Sequence, residues 1–130
     1  MMRRSWLGAL PALLALGCSA PNAAQGSGNV VSEHGLVDVA VTFDGPVVRG
    51  DNRLFVKLEP LSGNTALQLL SVDASMAAHA HEAHAGSIHE AERGFEVDAL
   101  DLFMTGRWQL ELELAIGDER DTATLPVDVP

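Results

Sequence analysis

The sequence predicts an all-β protein, an antiparallel β-sandwich of immunoglobulin-like size with about seven strands. Three observations carry this prediction. Short segments alternate apolar and polar residues, turn residues separate these segments at roughly even intervals, and no long segment has a helical period. The chain has 130 residues, which allows one small domain rather than two.

The predicted strands follow one another from Leu36 to the end of the chain. Alternation is clearest from Trp108 to Ile116, where every second residue is apolar and those between, as far as Glu113, are polar. Pro126 marks the last strand as an edge strand, because proline cannot donate to a ladder. The apolar or alternating segments cover 36–43, 54–59, 66–76, 95–99, 108–116 and 123–129.

The single cysteine limits how such a sandwich can be stabilised. With only Cys18, the chain has no internal disulfide, no cysteine zinc finger and no iron–sulfur cluster, all of which need several sulfurs. We therefore expect the aliphatic strand faces and Trp108 to hold the two sheets together.

The amino terminus has the layout of an export signal in residues 1–17. Two arginines precede an uncharged apolar run that is too short for a permanent membrane span of about 20 residues. The residues Ala15-Leu16-Gly17-Cys18 resemble the lipobox of bacterial lipoproteins. This resemblance implies a lipid on Cys18 and a place in the cell envelope on the periplasmic face, and Ser19 favours the outer membrane. The alternative is a plain secretory signal with an incidental Cys18.

Residues 18–35 lack periodicity and are rich in Gly, Ser, Asn and Ala, so they predict a flexible tether. The domain itself is expected at 36–130.

The charge balance argues against nucleic acid as a partner. Eighteen Asp and Glu face eight Lys and Arg, and removal of Arg3 and Arg4 with the signal leaves six bases and a net charge of −12. Phosphate binding needs clustered Lys and Arg. Many acids occupy the outward positions of the predicted strands, which indicates a solvated surface rather than a site.

Four histidines within eleven positions, between the third and fourth predicted strands, are the clearest candidate site. Imidazole is the commonest metal ligand, and neighbouring rings can converge on one ion. An extended segment would place two of the rings about 6.5–7 Å apart on one face, His79 and His81. A helical segment would instead bring His81 and His84 together. The predicted metal-binding histidines are His79, His81, His84 and His89.

Two methionines add soft donors to this prediction. Met76 ends the third predicted strand just before the histidines, and Met104 precedes the Trp108 strand. Thioether sulfur favours Cu(I), whereas imidazole binds copper and zinc, so copper is the first choice of metal and zinc the second. Taken singly, each methionine is more commonly a packed residue of the hydrophobic core than a metal ligand. No nucleophile motif or phosphate loop is present in the sequence, so we do not expect an enzyme.

The segment Phe103-Met104-Thr105-Gly106-Arg107-Trp108-Gln109-Leu110 resembles the YtkA-like domain family, which is related to the FixH-like proteins. The resemblance covers about residues 36–129. It implies an exported immunoglobulin-like domain. FixH-like relatives are associated with copper supply to cytochrome oxidases, which implies copper handling and a partner protein in metal transfer.

Two other interpretations of the histidines stay open. The domain could be an interaction module that docks a partner through a strand edge, with an exposed histidine loop that binds nothing. The histidines could instead sense pH, which predicts a conformational change between about pH 5 and 7 without metal.

Overall fold

The computed structural model describes residues 27–130, which form two antiparallel sheets packed face to face. This confirms the predicted all-β sandwich. The strands are β1 (Gly28–Val31), β2 (Val37–Phe43), β3 (Gly50–Pro60), β4 (Leu67–Met76), β5 (His81–His84), β6 (Ser87–Ala91), β7 (Gly94–Leu102), β8 (Gly106–Ile116) and β9 (Glu119–Val129). A single 3₁₀ turn, Ala77–His79, links β4 to β5.

The first sheet has the order β1-β2-β3-β7-β6, and the second has the order β5-β4-β8-β9. The chain crosses between the sheets at β3 to β4, at β5 to β6 and at β7 to β8. Among the described residues no helix is both long and apolar enough to cross a membrane. The signal segment and Cys18 lie outside the described residues.

The core lies between the two inner strand faces, where the period-two pattern predicted it. Four apolar side chains of β8 are fully buried, namely Trp108, Leu110, Leu112 and Leu114. The residues that alternate with them, Gln109, Glu111 and Glu113, are exposed. Burial of one face of each long strand is the main favourable contribution to folding, at about 25 cal/mol per Å² of apolar surface. Trp108 is the largest side chain in this core.

A β-bulge interrupts the ladder between β3 and β7. Leu54 lies opposite Val97 and Asn52 lies opposite Leu100, so two residues of β7, Asp98 and Ala99, occupy the space opposite one residue of β3. Ala99 has a φ of 59°, in the left-handed region that a bulge of this kind favours and that costs energy for a residue with a Cβ. The bulge restores the inward direction of the following residues of β7.

The sheet begins at Gly28, not at Leu36, so part of the segment assigned to the tether belongs to the fold. β1 pairs with β2 over its whole length, from Gly28 opposite Val41 to Val31 opposite Asp38. The sequence could not reveal this strand by alternation of apolar and polar residues. It lies at a sheet edge, and none of its four residues is fully buried. The count of nine strands exceeds the expected seven for the same reason, since β5 and β6 are also short edge strands.

A buried carboxylate fastens the turn that follows β1 to the other sheet. The side chain of Asp121, at the start of β9, is fully buried and accepts hydrogen bonds from the backbone N–H of His34 at 3.1 Å and of Thr122 at 2.8 Å. The Ser32 hydroxyl also donates to Asp121 and accepts from the backbone N–H of Val37 at 3.0 Å. Burial acts to raise the pKa of Asp121, but these hydrogen bonds outweigh it and hold the pKa below the ordinary value.

Candidate metal centre

The histidine segment is largely extended rather than helical, which is one of the conformations that the sequence left open. Most of it forms two edge strands, β5 beside β4 in the second sheet and β6 beside β7 in the first sheet. The turn between them crosses from one sheet to the other, and the backbone N–H of Gly86 donates to the carbonyl of Asp98 at 2.9 Å. The segment therefore distributes its four imidazoles over two different sheets.

His79 and His81 lie side by side at one end of the sandwich. Their ring centroids are 6.0 Å apart and their planes are 27° from parallel. His79 lies in the 3₁₀ turn rather than in an extended strand, and Ala80 between the two histidines has left-handed backbone angles, φ 52° and ψ 36°. His79 is exposed and His81 is half-buried. We call these two residues the end pair.

His81 lies directly opposite Met76 in the β4–β5 ladder. Directly opposed residues project to the same face, with Cβ atoms about 4.5–5.5 Å apart. The inward face of β5 therefore carries His81 above Met76, followed by Ala83 above Ala74. The β-ladder thus pairs His81 with the buried Met76, which the sequence could suggest only by nearness along the chain.

Aromatic rings form the wall beside the end pair. The ring of Phe103 meets His81 edge-on at 5.4 Å and meets Trp108 edge-on at 5.3 Å. The Trp108 indole N–H donates to the backbone carbonyl of Met104 at 2.9 Å, which fixes the loop that carries Phe103. Phe103 was not among the predicted site residues. Its position just before Met104 in the segment on which the family resemblance rests was the available signal.

Gly106 leaves room for Met76. A Cβ at position 106 would lie 2.6 Å from the terminal methyl of Met76, and the φ of Gly106 is 132°, which favours glycine. Met76 is 3% exposed, so its thioether is held in place by packing. The motif residues Gly106 and Trp108 therefore have a physical role, because Gly106 leaves space for the Met76 methyl and Trp108 packs against Phe103.

Met104 is half-buried and packs against the core. Its backbone carbonyl, rather than its side chain, makes the hydrogen bond to Trp108. Core packing accounts for this methionine, as it does for most methionines taken singly.

His84 points away from the end pair, to the outer face of the second sheet. It lies directly opposite Asp73, and its Nδ1 is 2.6 Å from Asp73 Oδ1. The hydrogen bond to Asp73 and the charge of that carboxylate raise the pKa of His84. His81 and His84 are on opposite faces of β5, so a strand geometry excludes their cooperation on one ion.

His89 lies on the other sheet. It sits opposite Glu96 in the β6–β7 ladder, and its Nε2 is 4.0 Å from Asp98 Oδ2. The other oxygen of Asp98 accepts a hydrogen bond from Arg53 at 2.6 Å. His89 is thus one member of an exposed group of charges on the outer face of the first sheet.

The four predicted metal-binding histidines therefore occupy three places, and only the end pair brings two of them together. Within residues 27–130, no group of three or more His, Cys, Asp or Glu side chains is placed to hold a metal ion. The structure brings the two imidazoles of the end pair to 6.0 Å, and the buried Met76 is the ladder partner of His81.

The rings of the end pair lie at the largest spacing that one shared ion allows. An ion about 2.0–2.1 Å from a ring nitrogen lies about 3 Å from the ring centroid, so two rings on one ion have centroids up to about 6 Å apart. The observed separation is 6.0 Å with the rings stacked, so the two rings would have to rotate for one nitrogen of each to reach a shared ion.

Comparison of the chain with protein-family models, with curated proteins and with solved structures gives no match.

Proposed function

We propose that the chain is an exported, lipid-anchored protein of the cell envelope that binds copper at the end pair. The observation that carries the proposal is the approach of His79 and His81 to 6.0 Å beside the buried Met76. Zinc is the second choice of metal, because neutral imidazole also serves zinc. The function is metal binding rather than catalysis.

The location within the envelope belongs to the same proposal. The lipobox-like residues that end in Cys18 support a lipid anchor, with the domain on the periplasmic face and the outer membrane favoured. The family resemblance carried by the segment from Phe103 to Leu110 supports a YtkA-like domain and a role in metal handling. The exposure of His79 suits exchange of the ion with a partner protein, because the outer ligand can be reached from solvent.

Metal titration of the full chain tests the proposal. We expect saturable binding of one copper ion tighter than about 1 μM by isothermal titration calorimetry. The variants His79→Ala and His81→Ala should each weaken it at least about tenfold, because each removes one of two imidazole ligands.

The matched controls are His84→Ala and His89→Ala, which remove the same ring from the same segment but from other faces of the sandwich. Both should leave the affinity unchanged. The proposal is wrong if no copper binds in this range, or if the four alanine variants behave alike.

One observation favours the interaction module as a second candidate function. β6 is an edge strand of the first sheet, and its ladder partner β7 lies on one side only. An extended segment of a partner could add to this edge by backbone hydrogen bonds. If the folded chain binds no metal, the interaction module that docks a partner at the β6 edge becomes the favoured function.

A further inference from the structure

We infer that the outer face of the first sheet carries a binding site for a neutral saccharide, in a hollow beside Phe55. The site is separate from the end pair and does not depend on a bound metal. The hollow has a volume of about 340 Å³, and its lining includes Thr42, Asp44, Arg53 and Glu96. This volume lies at the lower end of the range for small-molecule sites, about 300–1,000 Å³.

The β-ladders place the lining side chains in two neighbouring rows. Thr42 is directly opposed to Phe55, and Phe55 to Glu96, so the three side chains project from the same face of the sheet. Phe55 is half-buried, while Thr42 and Glu96 are exposed. Arg53 lies in the next row, and the backbone N–H of Asp44 donates to the carbonyl of Arg53 at 2.9 Å. The aromatic ring thus has polar side chains on several sides.

Gly94 determines the direction in which the Phe55 ring leans. A Cβ at position 94 would lie 2.9 Å from Cζ of Phe55, so the ring lies across β7 in the space that glycine leaves. Val56 pairs with Phe95, which puts Gly94 on the side of Phe55 that faces away from Arg53. The hollow therefore opens between Arg53 and the ring. Packing against Gly94 holds the ring in place before a ligand arrives, which lowers the entropic cost of binding.

The Arg53 guanidinium supplies hydrogen-bond donors on the other side of the hollow. Its Nε donates to Asp98 Oδ1 at 2.6 Å, which fixes the side chain and leaves the donors on its two terminal nitrogens for a ligand. The hydrogen bond and charge of Asp98 raise the pKa of Arg53, and the charges of Glu96 and Asp44 add to this effect. Three carboxylates thus lie around one guanidinium, and the hollow offers acceptors as well as donors.

This set of groups fits a neutral sugar ring. The C–H face of a pyranose can pack on an aromatic face, while its hydroxyls donate to carboxylates and accept from a guanidinium. An anion is disfavoured because the carboxylates outnumber the charge of Arg53, and a cation is disfavoured by Arg53 itself. A purely apolar ligand would desolvate Asp44, Glu96 and Arg53 without giving them partners.

Chemical-shift mapping of the ¹⁵N-labelled full chain tests for this site. The probes are the methyl pyranosides of glucose, galactose, mannose and N-acetylglucosamine, each added to about 50 mM. We expect at least one of them to bind with a Kd of about 1–10 mM, because the site is small and open to solvent. The amides of Thr42, Phe55 and Glu96 should shift, and those of His79 and His81 should not.

The substitution Phe55→Leu removes the aromatic face and keeps an apolar side chain beside Gly94. It should weaken the binding at least about fivefold. Arg53→Lys keeps the charge but loses the planar set of donors, and it should weaken the binding at least about threefold. Phe103→Leu is the matched control, because Phe103 is 40% exposed on another part of the surface, and it should leave the Kd unchanged. A dispersed amide spectrum identifies the variants that keep the fold.

The saccharide site is contradicted if none of the four glycosides shifts these amides, or if Phe55→Leu and Phe103→Leu bind the sugar equally well. Equal shifts with tetramethylammonium chloride or sodium acetate at the same concentration would also contradict it, because they would indicate a site for charge rather than for hydroxyl groups. None of these results bears on copper binding by the end pair, so the two proposals can fail separately.

Discussion

The hydrogen bond between His84 and Asp73 raises the pKa of this histidine. Nδ1 of His84 lies 2.6 Å from Asp73 Oδ1, and both side chains are exposed on the outer face of the second sheet. The carboxylate stabilises the protonated ring, which raises the pKa of His84 above 6.5. The sign follows from linkage, since a raised pKa adds stability below the ordinary value and loses it as the pH rises through the folded-state value.

We expect Asp73→Asn to lower the pKa of His84 and to remove this pH dependence. The measurement is an NMR titration of the His84 ring protons in the full chain and in the variant. Asp98→Asn is the control, because Asp98 contacts His89 and Arg53 on the other sheet. A His84 pKa that is the same with and without the Asp73 carboxylate would contradict the assignment.

Ala99 is a residue whose backbone conformation suits glycine better than alanine. Its φ of 59° lies in the left-handed region, where a Cβ costs about 1–2 kcal/mol per residue. The gain from glycine is partly offset by the greater freedom of glycine in the unfolded chain. We therefore expect Ala99→Gly to raise the free energy of unfolding by about 0.5–1 kcal/mol in urea denaturation.

Ala40 provides the comparison for this substitution, since it lies in the regular part of β2. There the same change, Ala40→Gly, should lower the free energy of unfolding by roughly 0.5–1 kcal/mol. Equal effects of the two substitutions would mean that the bulge does not strain Ala99.

At the scale of the element, one buried carboxylate joins the turn after β1 to the second sheet. Asp121 accepts hydrogen bonds from His34, Thr122 and Ser32, and the backbone N–H of Glu33 donates to the carbonyl of Thr122 at 2.8 Å. These contacts join the turn after β1 to the start of β9. Replacing the carboxylate leaves buried donors with a poorer acceptor, which typically costs about 1–3 kcal/mol.

We expect Asp121→Asn to lower stability by about that amount and to accelerate hydrogen exchange in β1, Gly28–Val31. The pH dependence has a definite sign. Because the folded-state pKa of Asp121 lies below 3.8, its contribution is present above that value and is lost as the pH falls through the folded-state pKa. The stability of the variant should therefore depend less on pH in this acid range.

Asp128→Asn is the matched control for Asp121→Asn. Asp128 is exposed and pairs with Arg107 at 2.9 Å, and such surface pairs contribute little to stability because solvent screens them. If the exchange of β1 responds equally to both substitutions, Asp121 is not its attachment point.

The elements also show how far sequence alone can predict this structure. Each of the six long strands buries one face, and this burial requires alternating apolar and polar residues, as from Trp108 to Ile116. The alternation allowed these strands to be predicted from the sequence. The short edge strands β1, β5 and β6 bury little, so no alternation marks them. The sandwich was therefore predictable, whereas the start of the sheet at Gly28 was not.

The candidate site was only partly predictable for a related reason. Composition drew attention to the histidines, and nearness along the chain suggested that Met76 belongs with them. Which imidazoles share a face depends on the register of β5 against β4, and on the 3₁₀ turn that holds His79. The partners of His84 and His81, namely Asp73 and Phe103, come from other elements, and only the folded register brings them together.

At the scale of the whole molecule, the acidic surplus is a surface property. Of all the Asp and Glu residues in the described part of the chain, only Asp121 is buried. The others lie on the outer faces, the edges and the turns, as the alternation indicated. Such a surface opposes self-association and favours solubility, and it carries no information about the end pair.

The position of β1 determines where the chain joins the sandwich. Gly28 pairs with Val41 near the end of β2, and the Ser27 hydroxyl accepts a hydrogen bond from the backbone N–H of Phe43 at 3.0 Å. Phe43 pairs with Leu54 in β3, and β3 begins opposite Leu102, next to Phe103. Gly28 is thus level with Val56 in the middle of β3, and β1 runs from there toward the end of the sandwich that carries Asp121.

With a lipid on Cys18, the ten residue steps from Cys18 to Gly28 span at most about 36 Å when fully extended. Such an anchor would keep the edge of the first sheet, where β1 lies, within that distance of the bilayer.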